Sequence, residues 1–380
     1  MEHYLLLNNQ PKGGAWIRMV EYTNFLNTKS IKWTIITSGQ EEIEVDEGPN
    51  GSLLVIKTGI FGLSITYWWY SLLIALRLNK QFPFSTIVSY KGSSGFGLFL
   101  FKKLFTGHFI SFFRGAEKPK FFQNNYSVIK RLIFVTFHKP VIRQIVKTSD
   151  RMIFQSAKGK ETFLADYGFE QTSKDIHVIP NNWNTSRFYE NTSHLGQKTL
   201  AGTFTILFLG RLKMHIKGVD LLLNALANLG EADFRLKIAG EGEDKSAIED
   251  MVARLKLQEK VTFIGHVKNP YAAINNSHLV VVPSRSEPFP NVVLESASLE
   301  TPVIASNVDG IPELFADKTF LFDVEQTQAL ADLLNKLHGD KIFYQNCLSH
   351  TKVMKRNFEF DWGKKLHYIM RGKEEELIHE

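Results

Sequence analysis

The chain has 380 residues, 44% hydrophobic and 22% charged, and a net charge of +6. That is ordinary globular composition at a length that suits two domains. The single cysteine, Cys347, excludes an internal disulfide framework and fits a reducing compartment, and no basic start leads into an apolar stretch with a small-residue cleavage site, so no secretory leader is expected.

Strand-like apolar runs alternate with helix-length segments along the whole chain. The first half offers Tyr4–Leu7, Trp33–Thr37, Leu53–Ile56, Thr86–Ser89, Phe109–Phe113, Met152–Gln155 and His177–Ile179. The second half offers Thr205–Leu209, Arg235–Ala239, Val261–Ile264, Leu279–Val282, Val303–Ala305 and Phe320–Phe322, with helical patterns such as Val219–Leu229 and Lys245–Leu257 between them. This rhythm predicts α/β architecture with parallel sheets. Thirteen strands exceed one comfortable sheet, so two such domains are expected. The polar stretch Pro180–Thr203 reads as the linker, and Gly363–Arg371 as a closing helix with Leu366, Ile369 and Met370 on one side.

Charge is uneven. Between Gly48 and Asp150 the only acidic residue is Glu117, against fourteen basic ones. A basic half faces something anionic: nucleic acid or an anionic membrane surface. Here the cations interleave with large apolar groups, as in Phe99-Leu-Phe-Lys-Lys-Leu-Phe105 and Ile129-Lys-Arg-Leu-Ile-Phe134, which favours the membrane surface over nucleic acid. The plainer reading is the solvated faces of amphipathic helices. Thr58–Leu76 carries no charge for nineteen residues, near a bilayer's span, but it is only moderately apolar and sits between two strand-like runs. A crossover helix explains it better.

The chemistry concentrates at predicted strand ends. Seven residues, including Pro288 and Pro290, separate Glu287 from Glu295. Proline suits a helix's first turn but not its interior, so Glu287 is expected on a loop and Glu295 about one turn into a helix. The free amides between them suit an anion. Two carboxylates flanking an anion site make a cradle for a sugar nucleotide; as a bare acid pair they also fit a glycoside hydrolase. Gly210-Arg-Leu-Lys-Met-His-Ile-Lys-Gly218 places Arg211 and Lys217 six residues apart after a strand, a diphosphate grip that an ordinary surface loop also resembles. Gly240-Glu-Gly242 and Gly265-His-Val267 close the next two strands; each alone reads as a turn, and together they line one sheet edge, where α/β sheets bind ligands. In the first half, Lys12-Gly-Gly-Ala15 lacks the third glycine of a dinucleotide fingerprint, leaving a plain turn or a close backbone approach to a phosphate or acceptor. Arg114, in Phe113-Arg-Gly-Ala-Glu117, is placed to stabilise a leaving diphosphate or to pair with Glu117.

This combination resembles the retaining glycosyltransferases of family four, strongest from Ile206 to Pro312: Gly210-Arg-Leu with Lys217-Gly218, Ile238-Ala-Gly-Glu-Gly242, Phe263-Ile-Gly265, Glu287-Pro-Phe-Pro-Asn with Glu295, and Gly310-Ile-Pro-Glu313, supported by Val178-Ile-Pro-Asn181 with Phe188. The resemblance implies the GT-B fold, two facing Rossmann-like domains with a cleft between them. Residues 1–185 would bind the acceptor, residues 186–358 the nucleotide sugar, and residues 359–380 would return as a helix to the first domain. It implies a hexosyltransferase moving a hexose or N-acetylhexosamine from a UDP-linked donor, with no metal, and the basic first half adds the expectation of a membrane-linked glycan, glycolipid or oligosaccharide acceptor at the cytoplasmic face of the membrane. Arg211 and Lys217 would hold the diphosphate, Glu287 the transferred sugar, Asn291 and Val292 amides the phosphate, and Glu295 the ribose. Gly265 to Val267 would flank the base. From the residues themselves, Gly14 is a candidate for approaching the donor and Arg114 a candidate for catalysis alongside Glu287. Two departures stand out: Arg114 replaces a common histidine, and Pro180-Asn-Asn-Trp-Asn184 replaces Pro-Asn-Gly-Val-Asp.

Overall fold

The computed structural model describes residues 2–9, 13–39, 47–57, 64–90, 92–113, 136, 138–183, 188, 192–193, 195, 202–229 and 233–373. Contacts divide the chain into two units: Met1–Pro180 with Asp361–Glu380, and Asn181–Phe360.

Unit 1 is built on a seven-stranded sheet: β1 His3–Asn8, β2 Lys32–Gly39, β3 Leu53–Lys57, β4 Thr86–Ser89, β5 His108–Phe113, β6 Arg151–Phe154 and β7 Asp175–Val178. The order is β3-β2-β1-β4-β5-β6-β7, and every pair is parallel. Helices α1 Gly13–Thr28, α2 Ser64–Gln81, α3 Phe96–Leu100, α4 Lys139–Thr148 and α5 Ala157–Tyr167 belong to it. Consecutive Leu5, Leu6 and Leu7 are all fully buried, the signature of a parallel strand covered on both faces. The charge-free run after Lys57 leads into α2, which joins β3 to β4 as the expected crossover. Among the described residues, no helix is long and apolar enough to cross a membrane. The strand expected at His177–Ile179 begins two residues earlier. Asp175 pairs in register with Arg151, and Arg151 Nε donates to Asp175 Oδ2 at 2.5 Å, so a cross-strand ion pair sets the edge that a hydrophobic pattern misses.

Unit 2 repeats the scheme with six parallel strands: β8 Phe204–Leu209, β9 Phe234–Ala239, β10 Val261–Gly265, β11 Leu279–Val282, β12 Val303–Ser306 and β13 Leu321–Phe322. Their order is β10-β9-β8-β11-β12-β13. Its helices are α6 Met214–Lys217, α7 Val219–Ala227, α8 Lys245–Arg254, α9 Pro270–Asn275, α10 Asn291–Ser298, α11 Thr327–Gly339 and α12 Lys341–Asn357. Strand order runs one way from β8 through β10 and the other way from β11 through β13, so the switch point lies between β8 and β11. Ligands of open α/β sheets bind outside the carboxyl ends of the strands at such a point.

The stretch read as a linker begins at the last residue of unit 1's first segment, Pro180, and from Asn181 it belongs to unit 2, so the boundary falls after 180 rather than after 185. Trp183 is buried in that unit's core and its Nε1 donates to Lys355 O at 3.0 Å, while Asn182 Nδ2 donates to Phe360 O at 2.7 Å. After Phe360 the chain returns to unit 1 as α13 Trp362–Arg371. Asp361 caps this helix by accepting from Lys364 N at 2.8 Å. Trp362 and Leu366 are fully buried, and Tyr22 of α1 shares a hydrogen bond with His367 Nδ1 at 3.0 Å.

Candidate active site

Two loops meet at the switch point of unit 2. The first follows β8 and carries Arg211, α6 and Gly218; the second follows β11 and runs through Arg285 and Glu287 to α10. Lys217 Nζ donates to Glu287 Oε2, so two residues chosen separately from sequence, 70 positions apart, are direct partners. The pair is mostly shielded, with Lys217 28% and Glu287 13% exposed.

Backbone geometry forces this proximity. Gly218 closes α6 with φ 65°, and a Cβ there would lie 1.9 Å from Pro283 O. Only glycine allows the end of α6 to pass so close to the exit of β11. The amides of Arg285 and Ser286 both donate to Ile216 O, at 2.8 and 3.4 Å, stitching the loops edge to edge.

Arg285 locks the arrangement, and sequence reasoning did not single it out. Its Nη1 and Nη2 fork onto Asp220 Oδ1 and Oδ2 at 2.8 and 2.7 Å, Nη1 also donates to Met214 O at 2.9 Å, and Nε donates to Glu325 Oε1 at 2.5 Å. The hydrogen bonds it donates to Asp220 outweigh burial and raise its pKa above that of an ordinary arginine. One guanidinium thus ties together α6, α7 and the two loops after β11 and β13. Asp309 is the second unforeseen residue. Its Oδ2 accepts from Glu287 N at 2.8 Å and from Ser286 Oγ at 3.0 Å, and it adopts φ 46°, a left-handed conformation that aspartate tolerates. A helix-opening aspartate and a turn aspartate are common in any sequence; only their distant partners reveal these roles.

Past Glu287, Pro288 and Pro290 bring the chain to α10, and the amides of Asn291 and Val292 head that helix. Asn291 is held in place because its Oδ1 accepts from Asn181 Nδ2 at 2.8 Å. Glu295 is half-buried on the same helix, one turn in. On the other side of β8 the loops are knitted by main chain: Gly210 N to Ala239 O at 2.9 Å, Leu212 N to Glu241 O at 3.0 Å, and Gly240 N to Gly265 O at 2.7 Å. Gly240 makes this possible at φ 146°, where a Cβ would stand 1.9 Å from Gly210 O. Arg211 is exposed beside this weave, and Val267 packs half-buried against the core. Arg211, Lys217, Gly265, Val267, Glu287, Asn291, Val292 and Glu295 therefore all belong to the carboxyl edge of one sheet or the helices that leave it.

The two expectations in unit 1 fare differently. Gly14 stands in the first turn of α1, just beyond the carboxyl end of β1. Arg114 follows β5 and lies outside the described residues. Elsewhere on unit 2, His215, Glu243 and Asp244 bring potential metal-binding atoms within 4.8 Å of one another. Their carboxylates are engaged: Asp244 Oδ2 accepts from Met214 N at 2.7 Å, and Glu243 pairs with Lys213 at 2.6 Å, which lowers its pKa.

Residues 194–353 match the family model described as glycosyl transferases group 1. The second unit carries a glycosyl transferases group 1 domain. The chain is similar to the O-antigen biosynthesis glycosyltransferase WclY of Escherichia coli, 34% identical over 133 residues, which is 34% of this chain and 37% of that protein. The aligned segment thus spans little more than a third of the curated relative's length. Structural likeness extends over the whole chain. Sucrose-phosphate synthase from Thermosynechococcus elongatus superposes with a TM-score of 0.80 at 17% identity, covering 98% of this chain and 99% of that one. HepE of Anabaena, in complex with UDP, superposes with a TM-score of 0.73 at 16% identity, covering 98% and 100%. The fold is the paired Rossmann-like composition of GT-B glycosyltransferases, and the switch-point residues fall inside the group 1 domain.

Proposed function

We propose that the protein is a retaining glycosyltransferase that moves a hexose or N-acetylhexosamine from a UDP-linked donor to a membrane-linked glycan or glycolipid in cell-surface polysaccharide synthesis. The observation that carries the reading is the Lys217–Glu287 pair at the switch point, beside the head of α10. Without donor, the two charges neutralise each other. A diphosphate entering at Arg211, Lys217 and the Asn291 and Val292 amides draws Lys217 away, and Glu287 is then released to accept hydroxyls of the sugar. Glu295 takes the ribose, and Gly265 and Val267 flank the base.

Negative charge develops on the departing diphosphate in the transition state, so preorganised cations and helix amides are where the rate gain resides. Arg211 and Lys217 supply that positive charge, and the reading needs no metal. Glu287 positions the sugar rather than attacking it. HepE, similar in fold, is known with UDP and with UDP-glucose, which supports the donor class. The O-antigen assignment of WclY and the basic first half support a lipid-linked acceptor reached from the cytoplasmic face.

Calorimetric titration with UDP and a panel of UDP- and GDP-sugars tests this. Wild type is expected to bind UDP, Lys217→Ala to bind it at least tenfold more weakly, and Glu287→Ala to bind it at least as tightly as wild type while losing transfer. Absence of binding to every nucleotide would overturn the reading. Release of free sugar from a glycan without nucleotide would favour a hydrolase instead.

A further inference from the structure

Nine large apolar side chains are strongly exposed among the described residues, and only Ile342 belongs to unit 2. Six of the others lie on one stretch of unit 1. Trp69 (57% exposed), Tyr70 and Leu73 (58%) project from α2, and Leu100, Phe101 and Leu104 (54%) come from α3 and the turn after it. The two groups adjoin: the Trp69 and Phe101 rings stack with centroids 6.2 Å apart at 17°. The inner side of α2 is fully used, with Tyr67, Leu72 and Ala75 in the core and Tyr67 Oη donating to Ile36 O at 2.7 Å. The outer residues are therefore a second apolar face, not core left uncovered by a shift of the helix.

That face continues into charge. Arg77 and Lys80 follow Trp69 and Leu73 at helical spacing on α2, and Lys103 stands between Phe101 and Leu104; all three are exposed. Lys102, by contrast, is turned inward, donating to Thr148 O at 2.9 Å and pairing with Asp150. No carboxylate occurs between residues 64 and 104, and none among the described residues pairs with Arg77, Lys80 or Lys103.

We propose that this face is a docking surface for an anionic lipid bilayer, with Trp69, Leu73, Leu100 and Leu104 entering the headgroup boundary while Arg77, Lys80 and Lys103 meet lipid phosphates. A second copy of the chain fits poorly, because a twofold contact sets the same three cations against themselves with no carboxylate to answer them. Nucleic acid fits poorly because exposed leucines offer phosphodiesters nothing. Aromatic and aliphatic groups flanked by Lys and Arg are what an interfacial membrane surface requires. The inference deepens the lipid-linked acceptor reading but stands on separate residues.

The test is flotation of the full chain with phosphatidylcholine vesicles, with and without 30% phosphatidylglycerol, at low and high salt. Wild type is expected to float with the anionic vesicles at low salt and to partition at least tenfold less with neutral ones. The triple variant Trp69→Ser, Leu73→Ser, Leu104→Ser is expected to lose at least tenfold, and Arg77→Glu with Lys103→Glu to abolish the lipid selectivity. Equal flotation of wild type and the triple variant overturns the proposal, as does failure of wild type to float. A wild-type dimer that the triple variant converts to monomer, without flotation, assigns the face to self-association instead. UDP binding measured on the same variants is expected to be unchanged. Loss of flotation with intact UDP binding therefore concerns this surface alone, and absence of UDP binding with intact flotation concerns the transferase reading alone.

Discussion

The carboxyl edge of the unit 2 sheet and the outer face of α2 in unit 1 solve opposite problems. At the first, the cations that join the two loops are answered by carboxylates: Lys217 faces Glu287, and Arg285 faces Asp220 and Glu325. At the second, apolar groups and cations stand exposed with no carboxylate among them. A paired edge is a site already set for a ligand that carries both phosphate and hydroxyls and must exchange one partner for another. An unpaired face awaits a partner that supplies all the negative charge itself. Substitutions at the edge are expected to impair sugar transfer and leave vesicle binding alone.

The largest effect is expected at Lys217. Removing one preorganised cation from a leaving-group site reduces turnover by about 10²–10³, and Lys217→Ala should fall in that range with its melting temperature near wild type. Transfer within fivefold of wild type would detach Lys217 from the diphosphate. Next is Gly218→Ala, because its Cβ would collide with Pro283 O and its φ is positive. Such a change is expected to destabilise by about 2–4 kcal/mol, seen as a lower urea midpoint, and to part the Lys217 and Glu287 loops, so that UDP affinity falls as well. Arg285→Ala should be milder, about 1–3 kcal/mol in stability, since Asp220 keeps some access to water. It should also raise the KM for donor, because α6 and the Glu287 loop lose their common anchor; an unchanged KM would restrict Arg285 to a structural part.

The smallest effect is one of pH, and it belongs to unit 1. Burial lowers the pKa of His367, with Arg371 adding to the shift. Above the unfolded value of 6.5 both states are neutral, and the contact with Tyr22 is at full strength. As pH falls below 6.5 the unfolded chain takes up a proton first, so stability decreases down to the folded pKa, by at most about 1.4 kcal/mol per pH unit. The urea midpoint of His367→Gln should be flatter between pH 7 and pH 5 than that of wild type. Identical slopes would remove His367 from the account.

Sequence pattern was informative where structure is local or periodic. Leu279–Val282 and Thr86–Ser89 are strands over the residues their apolar runs mark, and Glu287 and Glu295 fall on loop and helix as the prolines dictate. It was uninformative where a residue's meaning comes from a distant partner. Arg285 is one arginine among many until Asp220, 65 residues earlier, is placed beneath it. Asp309 reads as a turn residue until the amide of Glu287 arrives at its carboxylate. The strand start at Asp175 eluded the hydrophobic pattern for the same reason: an ion pair with Arg151, not apolar alternation, defines it.

The hydrogen bonds from Asn182 and Trp183 to Phe360 and Lys355 close unit 2 upon itself, so it begins and ends at one spot. Unit 1 is the discontinuous one: α1 packs against α13, and the two helices are separated by the whole of unit 2. During synthesis, unit 2 therefore has all its residues before unit 1 does. The strands β1–β7 emerge first, but Tyr22 and Phe25 stay uncovered on that side until Trp362 and His367 leave the ribosome. Loss of the last twenty residues would thus fall on the unit made first.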